Sequence, residues 1–170
     1  MVLRRWRESD LAPFAALNAD PAVMEHFPAL LSREESDRMA ERMDAAIDER
    51  GFGFWAVEVK GGPAFIGFVG LCVPRFDAPF MPAVEIGWRL ATPHWGRGYA
   101  TEAAGAAVGF GFADVGLAQI VSFTTPANTR SQRVMERLGM RRDPRDDFDH
   151  SNLPVGHPMR RMALYRLDAP

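Results

Sequence analysis

This sequence has almost no cysteine, no long apolar segment and no excess of either charge. Its single cysteine, Cys72, excludes an internal disulfide bond, and the apolar neighbours of Cys72 predict a buried, small hydrophobic side chain. No signal peptide and no run of about eighteen apolar residues occurs, so we expect a cytoplasmic protein without a membrane partner. The net charge of −2 and the scattered arginines argue against a nucleic-acid partner, which requires a basic stripe.

The sequence also lacks internal repeats, low-complexity stretches and linkers, which predicts one domain over residues 1–170. Hydrophobic residues make up 47% of the chain and charged residues 25%, which are the shares of an ordinary globular domain. A chain of this length can bury a substantial core.

Hydrophobic periodicity and turn residues predict strands and helices in alternation. The predicted strands cover residues 2–7, 52–59, 64–73, 84–90, 119–125, a short segment near 140, and 159–167. Of four predicted helices, two begin after the capping residues Ser9 and Ser32, one covers residues 97–114, and one begins after Asn128. The order β-α-α-β-β-β-α-β-α-β-β predicts an α/β sheet that combines antiparallel hairpins with helical crossovers.

The most informative segment connects the strand at residues 84–90 to the alanine-rich helix that follows it. Gly96 and Gly98 let the backbone approach a ligand closely, and the first turn of a helix presents N–H groups without intrahelical partners. Such a turn binds phosphate. A P-loop is excluded because its Gly-x4-Gly-Lys-Ser/Thr string is absent, and Thr101 occupies the third glycine position of a dinucleotide fingerprint.

The loop Trp95-Gly-Arg-Gly-Tyr-Ala100 resembles the pyrophosphate loop of the GNAT superfamily of N-acetyltransferases, in which Gly98 and Ala100 match two fixed small positions. Trp95 stands where Gln or Arg is commoner, and an aromatic residue there is typical of the RimJ/RimL-like branch, which acetylates protein N-termini. Three further segments are similar to that branch and occur in its order: Leu3–Leu11, Glu85–Trp88 and Asn128–Met140.

The resemblance implies the GNAT fold, an α/β (α+β) arrangement with acetyl-CoA as co-substrate and no metal. The central mixed, mostly antiparallel sheet would have about seven strands, open between its fourth and fifth strands, and be flanked by four helices. The pantetheine arm of the cofactor would lie in that opening, against the backbone of Trp88, Arg89 and Leu90. The pyrophosphate would lie on the amides of Gly96, Arg97, Gly98, Tyr99, Ala100 and Thr101.

The resemblance also places Asn128 and Ser131 near the sulfur of the cofactor, where either could contact the arm and assist the departing thiolate. Both residues also fit as ordinary helix caps, Asn128 at the cap and Ser131 at the third position. Motif position favours the cofactor role. Met135 occupies the position at which many family members have a tyrosine, and methionine cannot donate a proton.

Glu85, on the fourth strand, is the preferred general base, acting through a water molecule. A partly desolvated carboxylate has a raised pKa that suits it to accept a proton. The alternative is a carboxylate on the solvent face that pairs with an arginine. His150 is a second candidate for the base.

The acceptor site would combine residues from several segments: His26, Trp55, Glu85, Asp149 and His150. Core packing is the alternative for Trp55. The loop at residues 146–157 holds two histidines and several aspartates, but it lacks a recognised ligand spacing, so we expect no metal site.

These residues and the resemblance predict an acetyl-CoA-dependent N-acetyltransferase that acts on a primary amine. The N-terminal amine of a protein or peptide is the first candidate acceptor, and a small-molecule amine or antibiotic is the second. A non-catalytic acyl-CoA-binding sensor is the alternative of a different class, because Met135 replaces the usual tyrosine. The resemblance also allows a homodimer.

Overall fold

The computed structural model describes all residues, 1–170. Its eight strands are β1 (Val2–Arg4), β2 (Phe54–Glu58), β3 (Gly67–Cys72), β4 (Glu85–Leu90), β5 (Gln119–Thr124), β6 (Arg141–Arg142), β7 (Phe148–Asp149) and β8 (Arg161–Asp168). Its four α-helices are α1 (Glu8–Ala19), α2 (Arg33–Arg50), α3 (Tyr99–Ala113) and α4 (Thr129–Arg137). Every predicted strand and helix is present, with ends that differ by a few residues.

The strands form one mixed sheet in the order β1-β2-β3-β4-β5-β8-β6, and β7 pairs with β8. Every pairing is antiparallel except β4 with β5, which is parallel. The predicted fold class, a mostly antiparallel sheet flanked by four helices, is confirmed. The sheet has eight strands rather than about seven because the polar segment after residue 146 contains β7.

Two of the three predicted helix caps are confirmed, Ser32 for α2 and Asn128 for α4. Ser32 caps α2 in a capping box with Glu35, and Gly51 ends α2 in the left-handed conformation. The predicted cap at Ser9 is wrong, since α1 begins at Glu8 and Asp10 accepts a hydrogen bond from the Arg7 amide at 2.9 Å. The buried Asp10 carboxylate, already held by an arginine, outcompetes the hydroxyl of Ser9.

The core has a separate layer on each face of the sheet. α3 lies on one face, with the small buried residues Ala103, Ala104, Ala107 and Gly111 against the strands. A Cβ atom at Gly111 would lie 3.0 Å from both Ile120 and Leu71, so the missing side chain allows close packing. α1 and α2 cover the other face through a second cluster that includes Phe14, Leu17 and Phe68.

β4 and β5 separate soon after they meet. One residue pair, Glu85 with Val121, joins the two strands in the parallel ladder. Two hydrogen bonds flank it: the Val121 amide donates to the Val84 carbonyl at 2.9 Å, and the Ser122 hydroxyl donates to the Ile86 carbonyl at 2.9 Å. Beyond these contacts the strands leave the opening that the resemblance implied, and a cavity of about 870 Å³ lies there.

Candidate active site

A cavity of about 870 Å³ passes through the opening between β4 and β5. Its lining comes from the segment between α1 and α2, from β4 and β5, from the starts of α3 and α4, and from the chain around His150. The fold therefore brings together residues that lie more than a hundred positions apart in the sequence.

One end of the cavity consists of backbone amides at the start of α3. Gly96 and Gly98 have φ values of 72° and 80°, a left-handed conformation that favours glycine. The first hydrogen bond of α3 runs from the Glu102 amide to the Gly98 carbonyl at 3.0 Å, and the amides of residues 96–101 have no acceptor within the protein. No atom lies within 4 Å of a Cβ placed at either glycine, so the space above these amides is open.

Three arginines of α4 border the same end. Arg130, Arg133 and Arg137 line the cavity, and their spacing places them on one side of the helix. Arg133 and Arg137 take part in no ion pair, while Arg130 lies 3.8 Å from the Glu25 carboxylate. We call these arginines and the amides of residues 96–101 the helix end of the cavity. Its uncompensated positive charge and free N–H donors suit a pyrophosphate or phosphate group.

The side chain of Trp95 connects the glycine loop to the end of β4 through a hydrogen bond. Its indole N–H donates to the Leu90 carbonyl at 2.7 Å, and the guanidinium of Arg130 lies 4.7 Å from its ring centroid. The Leu90 carbonyl is therefore occupied, although Trp88, Arg89 and Leu90 all line the cavity as expected. The tryptophan supports the loop rather than contacting a phosphate through a charged side chain.

The opposite part of the cavity is formed by the face of β4 that points toward α1 and α2. Alternation along the strand places Glu85, Gly87 and Arg89 on this face. We call these three residues and the side chains that face them the strand end of the cavity. Glu85 is the only acidic residue that lines the cavity.

Desolvation raises the pKa of Glu85 to about 7, although the residue as a whole keeps some exposure toward the cavity. The Cys72 thiol donates a hydrogen bond to Glu85 Oε2 at 3.5 Å, which opposes that rise in pKa. Cys72 and Glu85 are direct cross-strand partners in the β3–β4 ladder. The predicted role of Cys72 as a purely hydrophobic residue is wrong in this respect, because the thiol contacts the candidate base.

Gly87 leaves free the volume beside the Glu85 carboxyl group. A Cβ atom at Gly87 would lie 3.7 Å from Glu85 Oε1 and 3.1 Å from the ring of Phe54. The missing side chain at residue 87 therefore leaves room for another group beside the carboxyl group. The sequence motif at Glu85–Trp88 includes this glycine, but it does not predict which side chains lie beside it.

Asn128 and Ser131 both line the cavity, and Asn128 also caps α4. The side chain of Asn128 accepts from the Ser131 amide at 3.1 Å and donates to the Thr124 hydroxyl at 3.0 Å. The Ser131 hydroxyl has no partner within the protein, so it is the freer of the two donors. Met135 is 1% exposed and belongs to the core as well as to the cavity wall.

Of the five predicted acceptor residues, His26, Glu85 and His150 line the cavity and the other two do not. His26 lies 3.4 Å from the Thr125 hydroxyl, and His150 stacks on Phe76 with a centroid distance of 4.1 Å; both line the cavity. Asp149 faces away and pairs with Arg160 and Arg161. Burial lowers the pKa of His150, which favours the neutral imidazole.

The expectation that Trp55 borders the acceptor is corrected by the structure. Trp55 packs edge-on against Phe110 of α3, with a centroid distance of 5.6 Å, on the other face of the sheet. Its neighbour Phe54 lines the cavity instead. The residue predicted to face the acceptor is therefore one position away from the residue that lines the cavity. Because successive strand residues point to opposite faces, this shift places Trp55 on the face away from the cavity.

No three side chains of histidine, cysteine, aspartate or glutamate come close enough to hold a metal ion. None of the helices combines the length and the apolar composition needed to cross a membrane.

Comparison with known proteins gives one consistent family. The profile of the acetyltransferase (GNAT) domain matches residues 1–141. YkkB from Bacillus subtilis (strain 168) is 31% identical over 141 residues, which cover 81% of this chain and 80% of YkkB. The FsC-acetyl coenzyme A-N(2)-transacetylase from Aspergillus fumigatus is 31% identical over 131 residues, which cover 73% of this chain and 55% of that protein.

Solved structures share the architecture over nearly the whole chain. The crystal structure of a GNAT-family acetyltransferase from Bacillus anthracis superposes with a TM-score of 0.77 at 25% sequence identity, covering 98% of this chain and 93% of that one. The residues matched by the family profile include β4, the glycine loop, α3 and α4, and hence most of the cavity wall. On these grounds the chain belongs to the GNAT acetyltransferase family and is an N-acetyltransferase.

Proposed function

We propose that this enzyme transfers the acetyl group of acetyl-CoA to a primary amine, and that its preferred acceptor is the N-terminal amine of a protein or peptide, as in the RimJ/RimL-like branch. The observation that supports the donor is the row of unpaired amides at residues 96–101. These amides and the arginines of α4 would hold the phosphates of acetyl-CoA, and the opening between β4 and β5 would receive its pantetheine arm. Acetyl-CoA supplies an activated thioester.

Glu85 would accept the proton of the attacking amine, directly or through a water molecule. A base is most effective when its pKa lies near the working pH, and the pKa of Glu85 is about 7. The pKa of an α-amine is about 7.7–8.0, against about 10.4 for a lysine side chain, so Glu85 is well matched to an α-amine. This match favours an N-terminal or other α-amine over a lysine.

The thioester oxygen and the departing sulfur need hydrogen-bond donors. Backbone N–H groups of β4 that face the opening would stabilise the negative charge on the oxygen. Ser131 is the side chain that would donate to the sulfur, because its hydroxyl is free, lines the cavity and lies one turn before Met135.

A small-molecule amine is the second candidate acceptor. One relative is named a transacetylase, and its name specifies acetyl coenzyme A and an N(2) position. This similarity supports a nitrogen acceptor, whether it belongs to a small molecule or to a peptide. A polyamine fits poorly, since the cavity wall holds one acid, Glu85, and several arginines and histidines. Multiple positive charges on an acceptor would be repelled there.

The test is acetyl transfer by the full chain with acetyl-CoA and a panel of N-terminal peptides, α-amino acids, lysine derivatives and polyamines, followed by free thiol release and mass spectrometry. We expect acetylation at α-amines, with kcat/KM rising as the pH passes about 7. Tight binding of acetyl-CoA without thiol release from any amine would instead identify a non-catalytic sensor. Preferential transfer to lysine side chains would contradict the proposed acceptor.

A further inference from the structure

The side chain of Arg89 is buried at the strand end of the cavity without a carboxylate partner. The residue is 8% exposed, and its guanidinium carbon lies 4.0 Å from the ring centroid of Phe27 and 5.4 Å from that of Phe68. Nη1 donates to Asn18 Oδ1 at 2.5 Å. Nε is buried with no hydrogen-bond partner, and Nη2 has none either.

Arg4, whose side chain is also largely enclosed, has the carboxylate partners that Arg89 lacks. The Arg4 side chain is 9% exposed, and it forms ion pairs with Asp10 at 2.7 Å and with Glu58 at 2.8 Å. An unpaired buried charge is costly, so proteins normally supply the counter-charge as they do for Arg4. Arg89 takes part in no ion pair, and its pKa, lowered by burial to about 10, still leaves it charged at neutral pH.

Arg89 is poorly placed to bind the phosphates of the cofactor. Its side chain lies on the face covered by α1 and α2, next to Asn18 of α1 and Phe27 of the following segment. The free amides and the α4 arginines form the helix end and already supply donors for phosphate. The missing counter-charge for Arg89 is therefore expected from the acceptor side of the cavity.

We propose that Arg89 binds a carboxylate of the acceptor, so that the enzyme selects amines that carry an acidic group. Nη2 of the guanidinium has no partner and, unlike Nε, is not among the buried unpaired atoms, so it can donate a charge-assisted hydrogen bond to a carboxylate that enters the cavity. This proposal rests on the proposed function and deepens it by naming a substrate class. The carboxylate belongs either to the C-terminus of a short peptide or to an acidic side chain near the N-terminus of a longer one.

The spacing along β4 gives the acceptor its shape. Residues 85 and 89 lie four positions apart, which corresponds to about 13 Å along an extended strand. The amine would react near Glu85, the carboxylate would bind Arg89, and the aromatic rings of Phe54 and Phe68 lie beside the path between them. An acceptor with an apolar body between its two polar ends fits this arrangement.

The experiment compares matched acids and amides. The wild-type chain is assayed with acetyl-CoA and a series of apolar peptides of two to four residues that carry a free α-amine and a C-terminal carboxylate, against the same peptides as C-terminal carboxamides. A second arm uses peptides with Glu or Gln at the first and second positions, which distinguishes the two sources of the carboxylate. We expect kcat/KM for the acid to exceed that for the amide by about ten- to a hundredfold in at least one arm, the value of one charge-assisted hydrogen-bonded pair.

Two variants separate binding from folding. Arg89→Met keeps an unbranched, flexible side chain among the aromatic rings but removes the charge, and the acid-to-amide ratio should fall to about one. In the wild type Asn18 Nδ2 donates to the Ser36 hydroxyl at 2.7 Å. Asn18→Asp places a carboxylate on Nη1, and the Ser36 hydroxyl can rotate and donate to its second oxygen. This variant should melt at or above the wild-type temperature and also lose the preference for acids.

Binding provides a readout that does not depend on turnover. Acids of the same series should raise the melting temperature of the wild-type chain, while their amides should not, and Arg89→Met should abolish the difference. Equal use of acids and amides by the wild type, or an unchanged ratio in Arg89→Met, overturns the proposal. If no amine is acetylated at all, the proposed function fails, and the melting experiment still decides whether Arg89 binds carboxylates.

Discussion

The two ends of the cavity present different chemical groups to a ligand. The helix end presents backbone amides whose arrangement depends on two glycines within one short segment. The strand end presents side chains of Glu85 and Arg89, whose properties depend on Cys72, Asn18 and Phe27 from other elements. Under the proposed function, the first end binds the phosphates common to all acyl-CoA molecules and the second selects the acceptor.

This difference explains how a GNAT enzyme can keep the site that binds its acetyl donor while the site that binds its acceptor changes. Backbone donors tolerate substitution at most neighbouring positions, because the amides remain when side chains change. A carboxylate with a pKa near 7 and an unpaired arginine depend on every side chain that buries them. A mutation at one end should therefore leave the properties of the other end unchanged. Substitutions at four positions test this expectation.

The largest effect is expected from Glu85→Gln at the strand end. Loss of a general base should lower kcat/KM by about 10²- to 10⁴-fold and remove the pH dependence near 7, while the Kd for CoA is unchanged. Burial raises the folded-state pKa of Glu85 above its ordinary 4.5, so its ionisation destabilises the fold as the pH rises from about 4.5 toward 7. Above pH 7 the variant should be more stable than wild type by roughly 2–3 kcal/mol.

Pre-steady-state thiol release, calorimetry with CoA and thermal melting at pH 6 and pH 8 measure these effects. Glu49→Gln, at an exposed position of α2, is the control for loss of a carboxylate. A wild-type rate in Glu85→Gln, or a pH midpoint that follows His150→Gln instead, would reassign the base to His150.

Gly98→Val should break the helix end. At a φ of 80° the β-branched side chain is strained, and it would project over the amides that are proposed to bind pyrophosphate. We expect CoA affinity to fall by about ten- to a hundredfold in calorimetry, the loss of one or two charge-assisted hydrogen bonds. Gly116→Val is the matched control, because Gly116 has a φ of 74° and equally open surroundings but lies outside the cavity. Equal CoA affinity in both variants would remove the phosphates from this loop.

The contrast between the two ends also explains what could be predicted from the sequence. The glycine loop, the capping box at Ser32 and the β4 motif are local patterns, and the structure places each of them where the sequence predicted. The residues that contact Glu85 and Arg89 at the strand end could not be predicted from such local patterns. Asn18 and Arg89 are 71 positions apart, and no periodic pattern marks two such residues as neighbours.

Trp55 shows a second kind of error. The strand was predicted correctly, but the residue facing the acceptor was displaced by one position, because both Phe54 and Trp55 are large and apolar. Polarity alternation could not distinguish the two faces, since helices cover both of them. Only the packing of Trp55 on Phe110 and of Phe54 at the cavity decides between them.

Gly87→Ala should narrow the strand end without affecting the helix end. The added methyl group would lie 3.1 Å from the Phe54 ring and 3.7 Å from Glu85 Oε1, where the amine is proposed to approach. Small misplacements at a reacting centre are costly, so we expect kcat/KM to fall about tenfold with the Kd for CoA unchanged. Gly105→Ala is the control, because its methyl group would make an ordinary 3.8 Å contact with Leu138. Similar losses in both variants would indicate a general packing effect.

The smallest effect is expected from the thiol beside the base. The Cys72 hydrogen bond to Glu85 favours the ionised carboxylate and so lowers the pKa of Glu85, against the larger effect of desolvation. Cys72→Ala should move the midpoint of the pH–rate profile to higher pH, and Cys72→Ser, with a stronger donor, should move it to lower pH. The two variants are matched in size, so shifts of opposite sign cannot come from packing alone. Identical midpoints in both would mean that Cys72 does not set the ionisation of the base, and that burial at the strand end is sufficient.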